Sequence, residues 1–257
     1  MLSVVRVALV ATVILFKNVA VARDLNILIL QETYPVECEI TEHPGVDGVF
    51  QFNQDGERIP AKGGGAWNDC DNGSFLLPFG KQLIDSGMAS SVTFMPVGLR
   101  GSSVKDWATG GAAYGKLQSA LKVANRRQIK FDYVLWQGGI VDYKLEFGKY
   151  HESIAKALKS VKLNTRAQKF IILKSITCRD LAHPPEIPYQ WNPLQNRFDG
   201  PNLSGLGAEY YADRCSLNAS GNRKMAQLWK QAIDNAEIEG DRFQRESLIY
   251  YFKRISR

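Results

Sequence analysis

The first residues in this chain that could do chemistry follow a short apolar segment. Residues 27–30 are all isoleucine or leucine, and the polar residues Gln31, Glu32 and Thr33 come directly after them. α/β enzymes often place reactive groups there, because ligands bind beyond the carboxyl ends of parallel strands. The middle residue is a carboxylate, which suits general acid–base chemistry rather than the attack made by a serine or cysteine. The segment is therefore an active site of another kind or a former one.

Four short apolar runs predict the strands that would position such residues. Each run is nearly continuous rather than alternating, as is typical of strands buried on both faces. Between the runs, apolar residues recur at helical spacing. This alternation predicts a parallel sheet covered by helices on both sides, a three-layer α/β/α sandwich. The runs are Ile27–Leu30, Val92–Val97, Tyr133–Trp136 and Phe170–Leu173, and the helical segments are 76–87, 112–125, 150–162 and 221–237.

Two long segments, 34–75 and 176–220, interrupt the alternation and are rich in Gly, Pro, Asn and Asp. Each follows a predicted strand, and long loops at that position are more often functional than ornamental. The sequence therefore predicts a site where Gln31–Thr33, Gly98–Ser103, Gln137–Asp142 and the 176–220 loop converge.

The first 22 residues have the composition of a secretory signal peptide. Arg6 precedes an apolar stretch from Val7 to Phe16, and Ala20-Val21-Ala22 offers a small-residue cleavage site. That stretch is too short to cross a bilayer of ~30 Å as an uncleaved anchor. We therefore predict a secreted or periplasmic protein with a signal peptide (1–22), one α/β domain (23–237) and a C-terminal appendage (238–257), a candidate extra helix.

Four cysteines in an exported chain predict disulfides, and four cysteines allow three pairings. Cys38 and Cys70 flank one loop-rich region, while Cys178 and Cys215 each follow a candidate element in the C-terminal half. We expect the pairs Cys38–Cys70 and Cys178–Cys215.

Several ligand classes are not expected. The chain has no C-x-x-C motif, its three histidines (His43, His151 and His183) are isolated, and no glycine-rich phosphate loop has the required spacing, so we predict no metal and no cofactor. The net charge of +6 comes from scattered Lys and Arg residues without an aromatic–basic motif, so we expect no nucleic-acid binding. No segment after the signal peptide is long and apolar enough to span a membrane.

Three sequence blocks, in their order and spacing, resemble the SGNH hydrolases, particularly the branch of sialate O-acetylesterase-like carbohydrate esterases. They are PVGLRGSSVKDW (96–107), VLWQGGIVD (134–142) and DRCSLNASG (213–221), the last preceded by GPN (200–202). The resemblance covers residues 24–236. It implies a flavodoxin-like sheet, hydrolysis of carbohydrate acetyl esters, and a carbohydrate or acetylated glycan as the ligand.

Carrying the catalytic triad over shows where the chain departs from that family. The family's serine nucleophile lies in a Gly-Gln-Ser-Asn turn after the first strand, and a histidine oriented by an aspartate takes its proton. Glu32 stands at the serine position and Thr33 at the asparagine position. Asp213 matches the aspartate, whereas Ser216 stands at the histidine position. Two of the three triad residues are absent, so the resemblance implies impaired catalysis.

The resemblance also assigns binding residues. Gln31 matches the glutamine of the family's Gly-Gln-Ser-Asn turn, and Gly101 matches the glycine whose backbone N–H holds the oxyanion. Gln137 matches the oxyanion side chain in one of two alignments of its block. Trp107, Trp136, Tyr189 and Trp191 could stack on sugars, although Trp107 and Trp136 equally suit a packing role.

Three hypotheses stay open from the sequence. The first is a non-catalytic glycan- or ester-binding protein. The second is an active hydrolase with relocated residues, in which Ser102 or Ser103 would be the nucleophile and His183 the base. A variant of it pairs Glu32 with Asp213 for glycoside hydrolysis. The third is a structural or assembly protein that uses the 238–257 appendage for contact.

Overall fold

The computed structural model describes residues 23–33, 45–69, 75–142, 144–165, 167–174 and 196–255. Seven strands form one sheet: β1 (Arg23–Thr33), β2 (Val49–Phe52), β3 (Arg58–Pro60), β4 (Ala89–Arg100), β5 (Tyr133–Gln137), β6 (Lys169–Ile172) and β7 (Arg197–Asp199). Their order across the sheet is β3-β2-β4-β1-β5-β6-β7.

The sheet is parallel except for one edge strand. β3 runs antiparallel to β2, and all other neighbouring pairs are parallel. Without β2 and β3, the five remaining strands run in the order 2-1-3-4-5 of flavodoxin-like sheets. The predicted three-layer α/β fold is confirmed, and among the described residues the sheet departs from a fully parallel arrangement only at the β2–β3 hairpin.

Four helices cover the sheet: α1 (Leu76–Asp85), α2 (Tyr114–Arg126), α3 (Phe147–Asn164) and α4 (Ala219–Ile255). All four lie where helical spacing predicts them. α1 ends before Gly87, whose φ of +73° places it in the left-handed region that glycine tolerates best after a helix. α4 continues without a break through most of the predicted appendage and is 37 residues long.

Strand alternation divides the core into two clusters, one on each face of the sheet. Leu25, Ile27 and Ile29 of β1 pack with α1 and α4. Leu28 and Leu30 pack with α2 and α3, where Trp107 and Trp136 meet edge to face at 5.5 Å between ring centroids. Both tryptophans are fully buried, which favours a packing role over sugar stacking.

Several predictions fall on residues outside the described ranges. The signal peptide, Cys38, Cys70, Cys178, Tyr189 and Trp191 are among them. Both disulfide pairs therefore stay predictions, although Cys215 is described and buried. Among the described helices, none combines the length and apolar character needed to cross a membrane. The described residues also contain no cluster of metal-ligating side chains.

Candidate functional site

The carboxyl end of β1 directs its polar side chains to opposite sides of the sheet. β1 remains extended through Thr33 and pairs with β4 up to Arg100. Gln31 belongs to the odd-numbered row that faces α1 and α4, and its register partner Gln137 in β5 lies in the same row. Glu32 belongs to the even-numbered row that faces α2 and α3. The residue at the nucleophile position therefore points away from the two glutamines.

Glu32 is held by the loop that follows β5. Its Oε2 accepts hydrogen bonds from the backbone N–H groups of Gly139 (2.9 Å) and Ile140 (3.0 Å), and its Oε1 accepts one from Val141 (3.2 Å). Consecutive N–H groups that converge in this way form an anion-binding concavity. Gly139 makes the turn possible, since its φ is +124°. The chain thus supplies the anion for this concavity from its own β1 strand.

Burial governs the acidity of Glu32, whose exposure is only 5%. Burial disfavours the charged carboxylate and, together with the nearby Asp142 charge, raises the pKa of Glu32 to about 7. The three backbone N–H groups oppose this shift, because they stabilise the ionised form. A pKa near 7 places the change in protonation state of Glu32 close to neutral pH.

A second buried carboxylate links this loop to the one after β4. Asp142 accepts a hydrogen bond from the Ser103 hydroxyl (2.6 Å) and another from the Val104 N–H (2.8 Å). Glu32 connects the carboxyl end of β1 to the loop after β5, and Asp142 connects that loop to the one after β4. These three predicted segments therefore do lie together, and side-chain carboxylates hold them there.

The serines after β4 serve this framework. The Ser102 hydroxyl is 3% exposed and accepts a hydrogen bond from the Trp107 indole N–H (3.1 Å). Ser103 caps the 3₁₀ turn Val104–Trp107 in a reciprocal capping box with Asp106. The described surroundings of Ser102 and Ser103 hold no histidine hydrogen bonded to either hydroxyl, and His183 lies outside the described residues.

Gly101 lies in the exposed turn between β4 and the 3₁₀ turn. Its φ of +63° is in the left-handed region, and a Cβ atom there would meet no other atom within 4 Å. Glycine is therefore favoured here by backbone conformation rather than by space. Beside this turn, Lys116 donates to the Gly98 carbonyl (3.0 Å) and pairs with Asp69, which places a charged pair at the end of β4.

Asp213 and Ser216 lie in the turn that precedes α4. Asp213 Oδ1 accepts hydrogen bonds from the N–H groups of Cys215 (2.9 Å) and Ser216 (2.8 Å). The adjacent Leu217 packs on the core between the sheet and α4, so this turn lies on the side that Gln31 and Gln137 face. The carboxylate matched to the triad aspartate thus stabilises its own turn.

Two candidate residues carry buried polar atoms without a hydrogen-bond partner. They are Gln137 Oε1 and Ser216 Oγ, and the only other such side-chain atom among the described residues is Trp229 Nε1. Buried polar atoms in folded proteins are almost always paired with protein, water or a ligand. Gln137 is 3% exposed and lies next to Gln31 in the sheet. Its amide oxygen is therefore a buried acceptor that could take a hydrogen bond from a ligand.

The sequence did not reveal the features that organise this end of the sheet. The Glu32 concavity depends on an ordinary Gly-Gly-Ile-Val segment, whose only local signal is its paired glycines. The sequence places Asp142 at the end of a predicted site segment, but nothing in it predicts the hydrogen bonds of Asp142 to Ser103 and Val104. The Asp69–Lys116 pair joins residues far apart in the chain, which no short motif could predict.

Comparison with known proteins supports the fold only. No protein-family model matches the chain, and no curated protein sequence matches it. A protein from Arabidopsis thaliana, solved by X-ray diffraction at 1.6 Å resolution, superposes with a TM-score of 0.55 at 15% identity, covering 80% of this chain and 96% of that chain. NanS superposes with a TM-score of 0.47 at 14% identity, covering 84% and 98%. The first likeness shows a shared α/β architecture.

Proposed function

We propose that this protein is a divergent SGNH-hydrolase-like protein, related to carbohydrate O-acetylesterases, that binds a glycan or a glycan ester without hydrolysing it. The binding cleft lies beyond the carboxyl ends of β1, β4 and β5. The observation that carries this proposal is the state of Glu32. The residue at the nucleophile position is buried and bound by three backbone N–H groups of the β5–α3 loop.

Acyl transfer needs a nucleophile that can reach its substrate and a base that activates it. Glu32 faces the α2/α3 side of the sheet, and its two oxygens are already engaged. The Ser216 side chain, at the histidine position, cannot act as a base near neutral pH. Asp213 has no histidine at the matched position to orient. Loss of triad members leaves only binding and oxyanion effects, which are orders of magnitude weaker.

Ligand binding needs neither a nucleophile nor a base, and groups that can hydrogen bond to a ligand are present. Sugars offer many hydroxyl donors, and Gln137 Oε1 is a buried acceptor without a partner among the described residues. Gln31 stands beside it in register and presents a second amide on the same side of the sheet. A ligand hydroxyl that reaches Gln137 would donate the hydrogen bond that Gln137 Oε1 lacks. The site therefore favours hydroxyl-bearing ligands over apolar ones.

The cellular setting belongs to the same proposal. A cleaved signal peptide over residues 1–22 would export the chain, and the two expected disulfides would form in that compartment. Extracellular or periplasmic glycans would then be within reach of the cleft.

The test combines a binding and a turnover measurement on the full chain. We expect saturable binding to O-acetylated glycans on an array and no hydrolysis of p-nitrophenyl acetate above the protein-free rate. Gln137→Leu should weaken glycan binding about 10-fold, since one buried hydrogen bond is lost. Gln118→Leu is the matched control, because Gln118 lies on α2 on the other side of the sheet, and it should leave binding unchanged.

Other outcomes would overturn the proposal. Ester turnover that disappears in Ser102→Ala or His183→Ala would show an active hydrolase with relocated residues. Glu32 and Asp213 lie on opposite sides of the sheet, which argues against the predicted pairing of these two carboxylates. Turnover of p-nitrophenyl glycosides that disappears in Glu32→Gln would nevertheless show that Glu32 takes part in hydrolysis. Absence of both turnover and glycan binding would favour a structural or assembly role.

A further inference from the structure

A groove with an excess of positive charge lies at the opposite end of the sheet from the cleft. Its volume is about 550 Å³, and it lies between the second half of α3 and the first residues of β6 and β7. Arg197 opens β7 and pairs with Phe170 of β6. Phe198 packs in the core on the α1/α4 side, so Arg197 lies on the α3 side, next to the groove.

The charges around this groove are not balanced. Among the described residues that line it, Lys156, Lys159 and Lys162 of α3 are positively charged and Glu152 is the single carboxylate. Glu152 is already paired with Lys156 at 2.8 Å. Lys159 and Lys162 are exposed and form no ion pair with the described residues. Burial and the Arg197 charge hold the pKa of the neighbouring His151 below its usual range, which is consistent with a positive potential here.

The groove also has an apolar floor. Leu158 of α3 and Phe170 of β6 line it, and both are buried. Lys159 and Lys162 are separated by about 4.5 Å along the helix axis, so both can reach neighbouring anionic groups of one molecule. The volume is in the range of small-molecule sites. No exposed aromatic side chain lines the groove for base stacking, which disfavours single-stranded nucleic acid.

We propose that this groove binds a small molecule carrying at least two oxyanion groups, such as phosphates, sulfates or carboxylates. Lys159 and Lys162 contact the anions, and the Leu158–Phe170 floor packs against the carbon or sugar part between them. The site is separate from the cleft, because the groove borders the amino ends of β6 and β7 and the cleft borders the carboxyl ends of β1, β4 and β5.

The two free lysines have another physical role that the test must separate. They lie toward the C-terminal end of α3, where positive side chains stabilise a helix through its dipole. A variant could therefore lose stability without any ligand being involved, so unfolding and binding are measured on the same samples.

The experiment measures binding of pyrophosphate, a sulfated disaccharide and orthophosphate to the full chain by calorimetry at constant ionic strength. We expect pyrophosphate or the disaccharide to bind about 10-fold more tightly than orthophosphate, because two charges are engaged. Whichever binds more tightly identifies the phosphate or the sulfate source. Lys159→Gln with Lys162→Gln should weaken this binding at least 10-fold. Lys122→Gln with Arg126→Gln on α2 removes the same charge elsewhere and should change it less than about 2-fold.

Three results would overturn the proposal. The first is equal weakening in both double variants, which would show attraction to net charge alone. The second is a loss of stability in the α3 variant with unchanged anion binding, which would show that the lysines serve only the helix. The third is an absence of binding to all three probes at 10 mM, about 10-fold above a millimolar dissociation constant.

Discussion

Glu32 and Asp213 are the two carboxylates at positions matched to the catalytic triad. Both accept hydrogen bonds from backbone N–H groups, but they stabilise different parts of the structure. Glu32 binds a loop that lies 107 to 109 residues away in the chain, at the end of a neighbouring strand. Asp213 binds the N–H groups two and three residues further along its own turn. The first carboxylate connects elements of the sheet, whereas the second shapes one local turn.

This difference concerns two positions that the sequence resemblance assigns to catalysis, and at both of them the carboxylate has a structural role in this chain. Glu32 stands where the resemblance to esterases requires a nucleophile, and its side chain reaches the β5–α3 loop instead. Asp142 continues the connection from that loop to Ser103 and Val104. Polar groups that would face a substrate in an enzyme thus hold three loops together. Substituting these carboxylates should lower the free energy of unfolding. The loss should be larger for a carboxylate that connects segments distant in the chain than for one that binds its own turn.

The largest effect is expected for Glu32→Ala. The substitution leaves three backbone N–H groups without their acceptor oxygens and empties space at a position only 5% exposed, so we expect a loss of about 3 to 4 kcal/mol in the free energy of unfolding. Asp213→Ala removes a local cap and should cost about 1 kcal/mol. Urea unfolding at pH 6, below the folded pKa of Glu32, measures both.

Equal losses for the two alanine variants would contradict the comparison between long-range and local carboxylates. Glu239→Ala provides the control for a carboxylate on an exposed face of α4 and should change stability by less than about 0.5 kcal/mol.

The next effect is a pH dependence that belongs to Glu32. Its carboxyl has a pKa of about 7 in the folded chain, against 4.5 for an ordinary glutamate in the unfolded chain, so between these pH values the unfolded chain releases a proton that the folded chain keeps. The stability contributed by Glu32 is therefore complete below pH 4.5, falls as the pH rises, and is lost above about 7. The change amounts to as much as ~3 kcal/mol.

Glu32→Gln tests this dependence because it removes the titration and keeps the side-chain volume. Stability of the variant relative to the original chain should rise across the same pH window, as measured by urea unfolding at half-unit intervals. Glu239→Gln is the matched control and should run parallel to the original chain. A parallel curve for Glu32→Gln would show that the carboxyl ionises normally in the folded state.

A smaller effect is expected for Asp142→Ala, which removes the link between the β5–α3 loop and the β4 loop. Asp142 is 8% exposed and accepts two hydrogen bonds, so we expect a loss of about 2 kcal/mol. Asp106→Ala removes only the local capping box of the 3₁₀ turn and should cost about 1 kcal/mol. A larger loss for Asp106→Ala than for Asp142→Ala would place the stability of this region in the turn rather than in the link between loops.

The same distinction between local and long-range features explains what the sequence could predict. The apolar runs, the helices and the sandwich follow from periodicity, which is a local property. β2, β3 and β7 were missed because they are only three or four residues long, and their pairing partners decide their existence. The motif blocks located Gln31, Glu32 and Gln137 at strand ends. Which face each side chain takes depends on β1 staying extended through Thr33, and that follows from its pairing with β4.

The smallest effect is expected where a buried polar group has no partner to lose. Ser216→Ala removes a hydroxyl whose oxygen has no hydrogen bond with the described residues, and its methyl group suits the 3%-exposed position. We expect the free energy of unfolding to stay the same or rise by up to about 1 kcal/mol, because the cost of burying a hydroxyl without a hydrogen bond is removed. Urea unfolding of the variant and of the original chain measures it. A loss above about 1 kcal/mol in the free protein would mean that the hydroxyl is hydrogen bonded, for example to a buried water. In that case Ser216, like Glu32 and Asp213, is a buried polar group with a hydrogen-bond partner, whereas Gln137 Oε1 has none.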